Sequence, residues 1–172
     1  QNNMIREISA AGIVTTFAGN KTAGKADGAG VNASFNNPDG VAFDLQGNLC
    51  VADTKNNLIR KITPAGVVTT YAGSGSAGAA DGIGTAASFN GVFGVATDSA
   101  GNLNVADTNN STIREITPEG VVTTLAGTAG TLGHADGTGA ASSVNIPIGL
   151  ATDSAGNLYV ADSDNRTIRK FV

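Results

Sequence analysis

The stretch at 94–115 reads GVATDSAGNLNVADTNNSTIRE, and it occurs twice more with small changes. The first copy is GVAFDLQGNLCVADTKNNLIRK at 40–61, and the last is GLATDSAGNLYVADSDNRTIRK at 149–170. Successive copies begin 54 and 55 residues apart, and such a fixed period is the signature of a repeat architecture. Extended outward from these copies, the chain divides into repeats at 13–66, 67–120 and 121–172.

Each repeat contains four short runs that have the pattern of β-strands. In the first copy they are predicted at Gly40–Asp44, Leu49–Asp53, Leu58–Thr63 and Val67–Ala72. The intervening Gly, Asn and Pro residues are typical of tight turns, so the four strands form one antiparallel sheet. A long connection at 73–93 then crosses to the next sheet, and Thr85 is predicted to cap a single helical turn there.

The chain is out of phase with this sheet. With the strands lettered a to d, Met4–Ile8 corresponds to a strand c and Ile13–Ala18 to a strand d. The last copy, from Ile148, supplies strands a, b and c. The segment 1–12 therefore begins with the same element as the repeat at 163–172, and the strand order is cd, abcd, abcd, abc.

These repeats resemble the NHL repeat, most clearly in the copy GLATDSAGNLYVADSDNRTIRK at 149–170. The segments that precede it, VVTTLAG at 121–127 and ADGTG at 135–139, resemble the bacterial variant of that repeat. The resemblance covers essentially the whole chain. It implies an all-β fold of β-propeller blades, each a four-stranded antiparallel sheet, most often six to a ring. It implies no particular function.

Three blades per chain make half of a six-bladed propeller, so we expect a homodimer. Exchange between the N-terminal strand d and the C-terminal blade would close the ring and cover an unpaired strand edge. A six-bladed ring uses six c strands and two chains supply eight, so each chain has one surplus strand c, at 1–9 or at 163–172. A head-to-tail fibre and a longer propeller of which this chain is a fragment are the alternatives.

Composition excludes several classes of partner. Charged residues make up 14% of the chain, against about 25% in typical domains, and the net charge is −4. Nucleic-acid binding needs clustered Lys and Arg, whereas the basic residues here recur singly. No apolar run reaches the roughly 20 residues of a membrane span. Low charge and a single cysteine favour an extracellular or periplasmic setting.

Enzymes with NHL-like propellers include amidating lyases and, more distantly, lactonases, and a resemblance to these enzymes would imply a metal held by several His or by Glu, Asn and Asp. This chain has one His and three Glu, at Glu7, Glu115 and Glu119. We therefore expect no catalytic residues, cofactor or metal. Cys50 is predicted to be a small core residue, since Asn104 and Tyr159 take its place in the other copies.

The carboxylates at the ends of the b strands, Asp53, Asp107 and Asp162, admit two interpretations. A ring of carboxylates around a channel could hold Ca²⁺, which takes six to eight oxygen ligands. Because the Asp recurs in every blade and precedes Thr or Ser, an Asx turn that caps the backbone is favoured. The recurrent Asp-Gly pairs are likewise predicted to cap loops, and the recurrent Arg residues to bond carboxylates or carbonyls at blade seams. These are Asp27, Asp81 and Asp136, and Arg60, Arg114 and Arg169.

Binding is predicted on the face that carries the b–c turns and the d–a loops, because the copies differ there and binding residues concentrate on loops. The candidate residues are Asp53, Asn56, Asp107, Asn110, Asp162, Asn165, Asp39, Phe93, Ile148 and His134. His134 stands out as the single histidine, at a one-residue insertion. The predicted function is a non-catalytic interaction or self-assembling scaffold. The alternatives are a glycan- or peptide-binding module on this face and a degenerate relative of the lyases and lactonases.

Overall fold

The computed structural model describes residues 2–171. Gln1 and Val172, the outer ends of the two overlapping segments, lie outside this range. Across the described residues the chain is all-β and forms four successive antiparallel sheets. The first sheet has two strands, β1 (Met4–Ile8) and β2 (Val14–Gly19), in a hairpin that pairs Ile5 with Ala18.

The next two sheets have five strands each, in the order β3-β7-β6-β5-β4 and β8-β12-β11-β10-β9. The strands of the first are β3 (Gly28–Ala29), β4 (Pro38–Phe43), β5 (Leu49–Asp53), β6 (Leu58–Ile62) and β7 (Val67–Ala72). Those of the second are β8 (Gly82–Ile83), β9 (Val92–Thr97), β10 (Leu103–Asp107), β11 (Thr112–Ile116) and β12 (Val121–Ala126). Three-residue 3₁₀ helices lie in the crossovers and b–c turns, at Gly30–Asn32, Thr54–Asn56, Gly84–Ala86 and Thr108–Asn110.

The last sheet has three strands among the described residues, in the order β13-β14-β15. These are β13 (Pro147–Thr152), β14 (Leu158–Asp162) and β15 (Thr167–Phe171). The strands whose bounds were predicted, which are the four of the first copy and the two at the N-terminus, are present to within two residues at either end. No helix in the described part of the chain is both long and apolar enough to cross a membrane.

The long crossovers differ from the prediction. Each interior crossover adds a fifth, two-residue strand to the outer edge of the sheet that follows it, as Gly82–Ile83 does by pairing with β12. A single helical turn is present as predicted, but Thr85 does not cap it and it does not extend to Phe89. A 3₁₀ helix occupies Gly84–Ala86 without a side-chain cap, because the backbone is held by this pairing and Phe89 turns into the core.

The core lies between successive sheets rather than within one of them. Ile59 of β6 packs with Phe89 and Val105 of the following unit, and Ile113 of β11 packs with Val160 of the last sheet. Cys50 belongs to the same core, which confirms its predicted role as a small buried residue. Burial raises the pKa of its thiol to about 11.

The a strands of the last three sheets lie side by side, so these sheets converge at that edge. These strands are β4, β9 and β13. Two glycines permit the close approach. A Cβ at Gly40 would collide with the carbonyl oxygen of Phe93, and a Cβ at Gly94 with that of Ile148. A larger residue would therefore force neighbouring sheets apart.

Candidate functional site

A buried polar cluster occupies each repeat and contains many of the predicted site residues. In the first repeat its centre is Asp53, which ends β5 and is fully buried. Its carboxylate accepts hydrogen bonds from the backbone N–H of Asn36 at 2.7 Å, from Asn56 Nδ2 at 2.8 Å and from Arg60 NH1 at 3.0 Å. Both carboxylate oxygens are thus used by partners within the protein.

Arg60 links this carboxylate to the preceding crossover. Its NH1 also donates to Ser34 O, and its NH2 donates to Ala26 O and to Asp27 Oδ1 at 2.6 Å. The guanidinium lies 5.3 Å from the centre of the Phe35 ring. A planar group with several fixed donors suits this task, because it satisfies two carboxylates and two carbonyls together. The cluster therefore fastens the crossover to the sheet.

The same cluster recurs in the other two repeats with matching partners. Its members are Asp107, Asn110, Arg114 and Asp81 in the second, and Asp162, Asn165, Arg169 and Asp136 in the third. Burial raises the pKa of Asp53 and of Asp107, although the hydrogen bonds that each accepts act in the opposite direction. The predicted partners of the arginines, carboxylates and carbonyls, are confirmed.

Two predictions about the acidic residues are wrong. Asp53 makes no cap bond to the 3₁₀ helix that follows it, since its oxygens bond the crossover, Asn56 and Arg60 instead. Asp27 pairs with Arg60 rather than capping its loop. Asx turns occur instead after the first strand, where Asp44 Oδ1 accepts from the N–H groups of Gln46 and Asn48.

Residues 2–171 contain no group of three or more His, Cys, Asp or Glu side chains arranged to hold a metal ion. The carboxylates considered as Ca²⁺ ligands each lie in their own repeat, bonded to an arginine and an asparagine. They are Asp53, Asp107 and Asp162. His134 is exposed on its loop.

The loop face carries a groove of about 310 Å³ between the first and second complete repeats. Its lining comes from the b–c turns and the crossover ends, as expected for that face, and consists of Asn37, Thr54, Lys55, Asn57, Gly91, Phe93 and Asn109. Of the remaining predicted residues, Asp39 accepts hydrogen bonds from Thr54 and Asn37, and Ile148 is partly exposed. Of the residues predicted for the binding face, Phe93 is the one that lines this groove.

Sequence reasoning missed an asparagine link between neighbouring units. Asn57 has a left-handed conformation with φ of 53°, and its Oδ1 accepts from the backbone N–H of Gly91 at 2.8 Å. Asn3 has the same conformation and accepts from Asn37 N–H at 3.0 Å. Asn tolerates this backbone region better than most residues, so its place before a strand is the signal that could have revealed the link.

A second, larger groove of about 650 Å³ lies between the first hairpin and the next sheet. It is mainly apolar, and its lining includes Met4, Ile5, Phe17, Val41, Phe43 and Leu49. Val41 and Phe43 point into it from β4 and remain largely exposed. This groove belongs to the face of β4 that is turned away from β9.

Antiparallel sheets that pack face to face and converge on their first strands define a β-propeller. The family model described as NHL repeat matches this chain at residues 35–62 and 144–171. These two segments therefore match NHL repeats, and the fold is that of a β-propeller.

Comparisons with known proteins agree on the fold. A structural-genomics protein of unknown function from Bacteroides thetaiotaomicron is 24% identical, with a TM-score of 0.82 over 98% of this chain and 42% of its own. An auxiliary nutrient binding protein from the same organism is 19% identical, with a TM-score of 0.78 and the same coverage. Virginiamycin B lyase from Staphylococcus aureus is 16% identical, with a TM-score of 0.60 over 99% of this chain and 48% of the lyase.

Among curated proteins, SUPPRESSOR OF QUENCHING 1 from Arabidopsis thaliana is 39% identical over 94 residues. The match covers 54% of this chain and 9% of the plant protein. The chain thus spans a small part of that relative and less than half of the three solved structures.

Proposed function

We propose that this protein is a non-catalytic propeller scaffold that assembles with a second copy of itself into a six-bladed ring. The observation that carries the proposal is the exposure of matched positions in successive repeats. Ile59 and Ile113 are fully buried between sheets, whereas the equivalent Ile168 is 71% exposed. The last sheet thus presents a face that in the other repeats is covered by a neighbouring sheet.

The opposite end of the stack has the complementary exposure. Val95 is 7% exposed because the preceding sheet covers it, whereas the equivalent Val41 is 51% exposed and lines the larger groove beside Phe43. Exposed apolar surface of this kind marks an interaction site. Because one end presents the front of a sheet and the other the back, a second copy can cover both ends through two equivalent seams.

The size of the fold supports a second copy as the occupant. This chain corresponds to 48% of virginiamycin B lyase by structure, so two copies contain about as much propeller as that single chain. The non-catalytic part of the proposal rests on the polar clusters, whose buried carboxylates are already bonded to arginine and asparagine within the protein. We extend the proposal to an extracellular or periplasmic location, as suits a chain similar in fold to nutrient binding proteins.

Light scattering on the purified chain tests the proposal directly. We expect a mass of twice 17.0 kDa, and a stable species of 17.0 kDa at micromolar concentration would refute it. Gly149→Ala provides a sharper version. A Cβ at Gly149 meets only Ala161 Cβ, at 3.6 Å, within one chain, but the equivalent Gly40 and Gly94 lie against a neighbouring carbonyl. The variant should fold normally by circular dichroism and remain monomeric.

The groove on the loop face favours a second function, the binding of a small polar ligand such as a glycan. Gly91, at the end of the crossover, lines this groove, and the other copies have Asn37 and Ile146 at the equivalent position. A Cβ at Gly91 would collide with the Asn109 amide. The glycine thus opens space beside Phe93 and Lys55 that a side chain would fill. A glycan array tests this, with Gly91→Asn as the control, because Asn accepts the same positive φ of 64°.

A further inference from the structure

The ring proposed above needs only one strand c at each seam, although two copies bring two. We propose that β15 is the strand released, and that β1 of the second copy takes its place beside β14, followed by β2 as the fourth strand. This inference rests on the proposed assembly and names the residues that form its seam.

Burial distinguishes the two competing strands. Ile5 of β1 is already buried against Phe35 and Val51 of the following sheet, so displacement of β1 would open an existing core. Ile168 of β15 is largely exposed, and its release would expose little more. The two isoleucines occupy equivalent positions, so the exchange puts a buried isoleucine where an exposed one lay, while Arg169 and Phe171 of β15 give up their contacts within the last sheet.

The asparagine link favours the same strand. Asn3 precedes β1 and accepts a hydrogen bond from Asn37 N–H of the next unit. The equivalent residue before β15 is Arg166, whose guanidinium has donors and no acceptor. A ring that used β15 as the third strand would leave the Asn37 N–H without this partner.

The last crossover already has the shape that a fourth strand requires. In the interior sheets Gly28 and Gly82 have φ of 149° and 157° and pair with β7 and β12. Gly137, at the equivalent position, has φ of 154° although its own sheet ends at β15 within residues 2–171. By the register of the interior sheets, Gly137 would pair with Val14 of the second copy.

The exchange would also give the Arg6 side chain carboxylate partners. This residue is exposed and bonds two carbonyls of its own hairpin, whereas the equivalent Arg60 and Arg114 are fully buried between two carboxylates. Beside β14 of the second copy, Arg6 would occupy the place of Arg169 and pair with Asp162 and Asp136. The inner strands β13 and β14 would at the same time fill the larger groove next to β1.

Disulfide trapping in solution tests the seam, in a Cys50→Ala background that removes the native thiol. In the interior sheets Cys50 pairs with Lys61, and Lys61 with Thr69. The same register places Glu7 of one copy opposite Tyr159 of the other, so the chain carrying Glu7→Cys and Tyr159→Cys should form a covalent dimer on mild oxidation. The matched control carries Thr15→Cys and Lys170→Cys, which would face each other only if β15 stayed in the ring.

The outcomes separate the two proposals. A dimer in light scattering that is trapped by the first pair supports the exchange. A dimer trapped by the control pair, or by neither, overturns the exchange and leaves the assembly standing. A monomer overturns the assembly itself. Independently, Arg6→Ala should weaken self-association at least about 100-fold, because it empties a buried ion-pair position. Arg169→Ala should change it less than about threefold, and the reverse order would contradict the exchange.

Discussion

The two carboxylates bound to one arginine allow a direct test of how burial sets the strength of an ion pair. Arg114 donates to Asp81 at 2.6 Å and to Asp107 at 2.9 Å, so distance alone ranks Asp81 as the stronger partner. The Asp81 side chain is 50% exposed and that of Asp107 is fully buried. We predict that Asp107→Asn destabilises the protein far more than Asp81→Asn, although both changes are isosteric.

The magnitudes follow from the surroundings of each group. Asp107→Asn leaves the buried Arg114 without its buried counterion and sets an amide donor against a guanidinium donor, and breaking such a pair costs about 3–5 kcal/mol. Asp81→Asn removes a solvent-screened pair worth at most about 1 kcal/mol. Urea unfolding followed by circular dichroism, at one fixed protein concentration, measures both. Equal losses for the two variants, or a loss below 1 kcal/mol for Asp107→Asn, would show that burial does not govern this cluster.

Three further predictions concern other sites. Burial acts to raise the pKa of Asp44, but hydrogen bonds from Asn48 and the charge of Lys61 outweigh it and hold the pKa below 3.8. The stability that Asp44 contributes is therefore present above about pH 4 and is lost as the pH falls through the lowered pKa. Urea midpoints measured from pH 5 to 2.5 should fall less steeply in Asp44→Asn than in the parent chain. Cys50 should not react with a thiol reagent at pH 8 until the protein unfolds, because it is buried and its pKa is about 11, and rapid labelling of the folded chain would contradict the packing described. Addition of a chelator should leave the thermal midpoint unchanged, and a fall of several degrees would indicate a structural metal.

The strands were predictable because their signals are local. Alternation of apolar residues, β-branched content and Gly or Asn turns all act within a few residues, and each repeat shows them again. The register of Met4–Ile8 follows from the same pattern, since Ile5-Arg6 recurs as Ile59-Arg60. Repetition made the assignment firm, because chance agreement would have to occur in every copy.

The polar cluster was harder to predict because its partners are distant in sequence. Asp27 and Arg60 are 33 residues apart, and Asp53 bonds a backbone N–H 17 residues before it. An Asp-Thr pair at a strand end suggests a local turn, which is the usual role of Asp there. The crossover displaces that turn by bringing its own backbone donor and a second carboxylate to the site.

The third repeat indicates what a fourth strand adds to this cluster. Each arginine has one buried carboxylate partner and one outer, half-exposed partner, which is Asp27 for Arg60 and Asp81 for Arg114. In the interior repeats a threonine of the fourth strand donates to the outer partner, Thr70 to Asp27 and Thr124 to Asp81. At the third repeat the outer carboxylate, Asp136, is 96% exposed, and Arg169 is less buried than the other two arginines. Thr16 of β2 is the equivalent of Thr70, so an incoming β2 would supply this donor. In the proposed ring, assembly and stability would then depend on the same contacts, because the arginine cluster of the third repeat would be completed only by the fourth strand from the second copy.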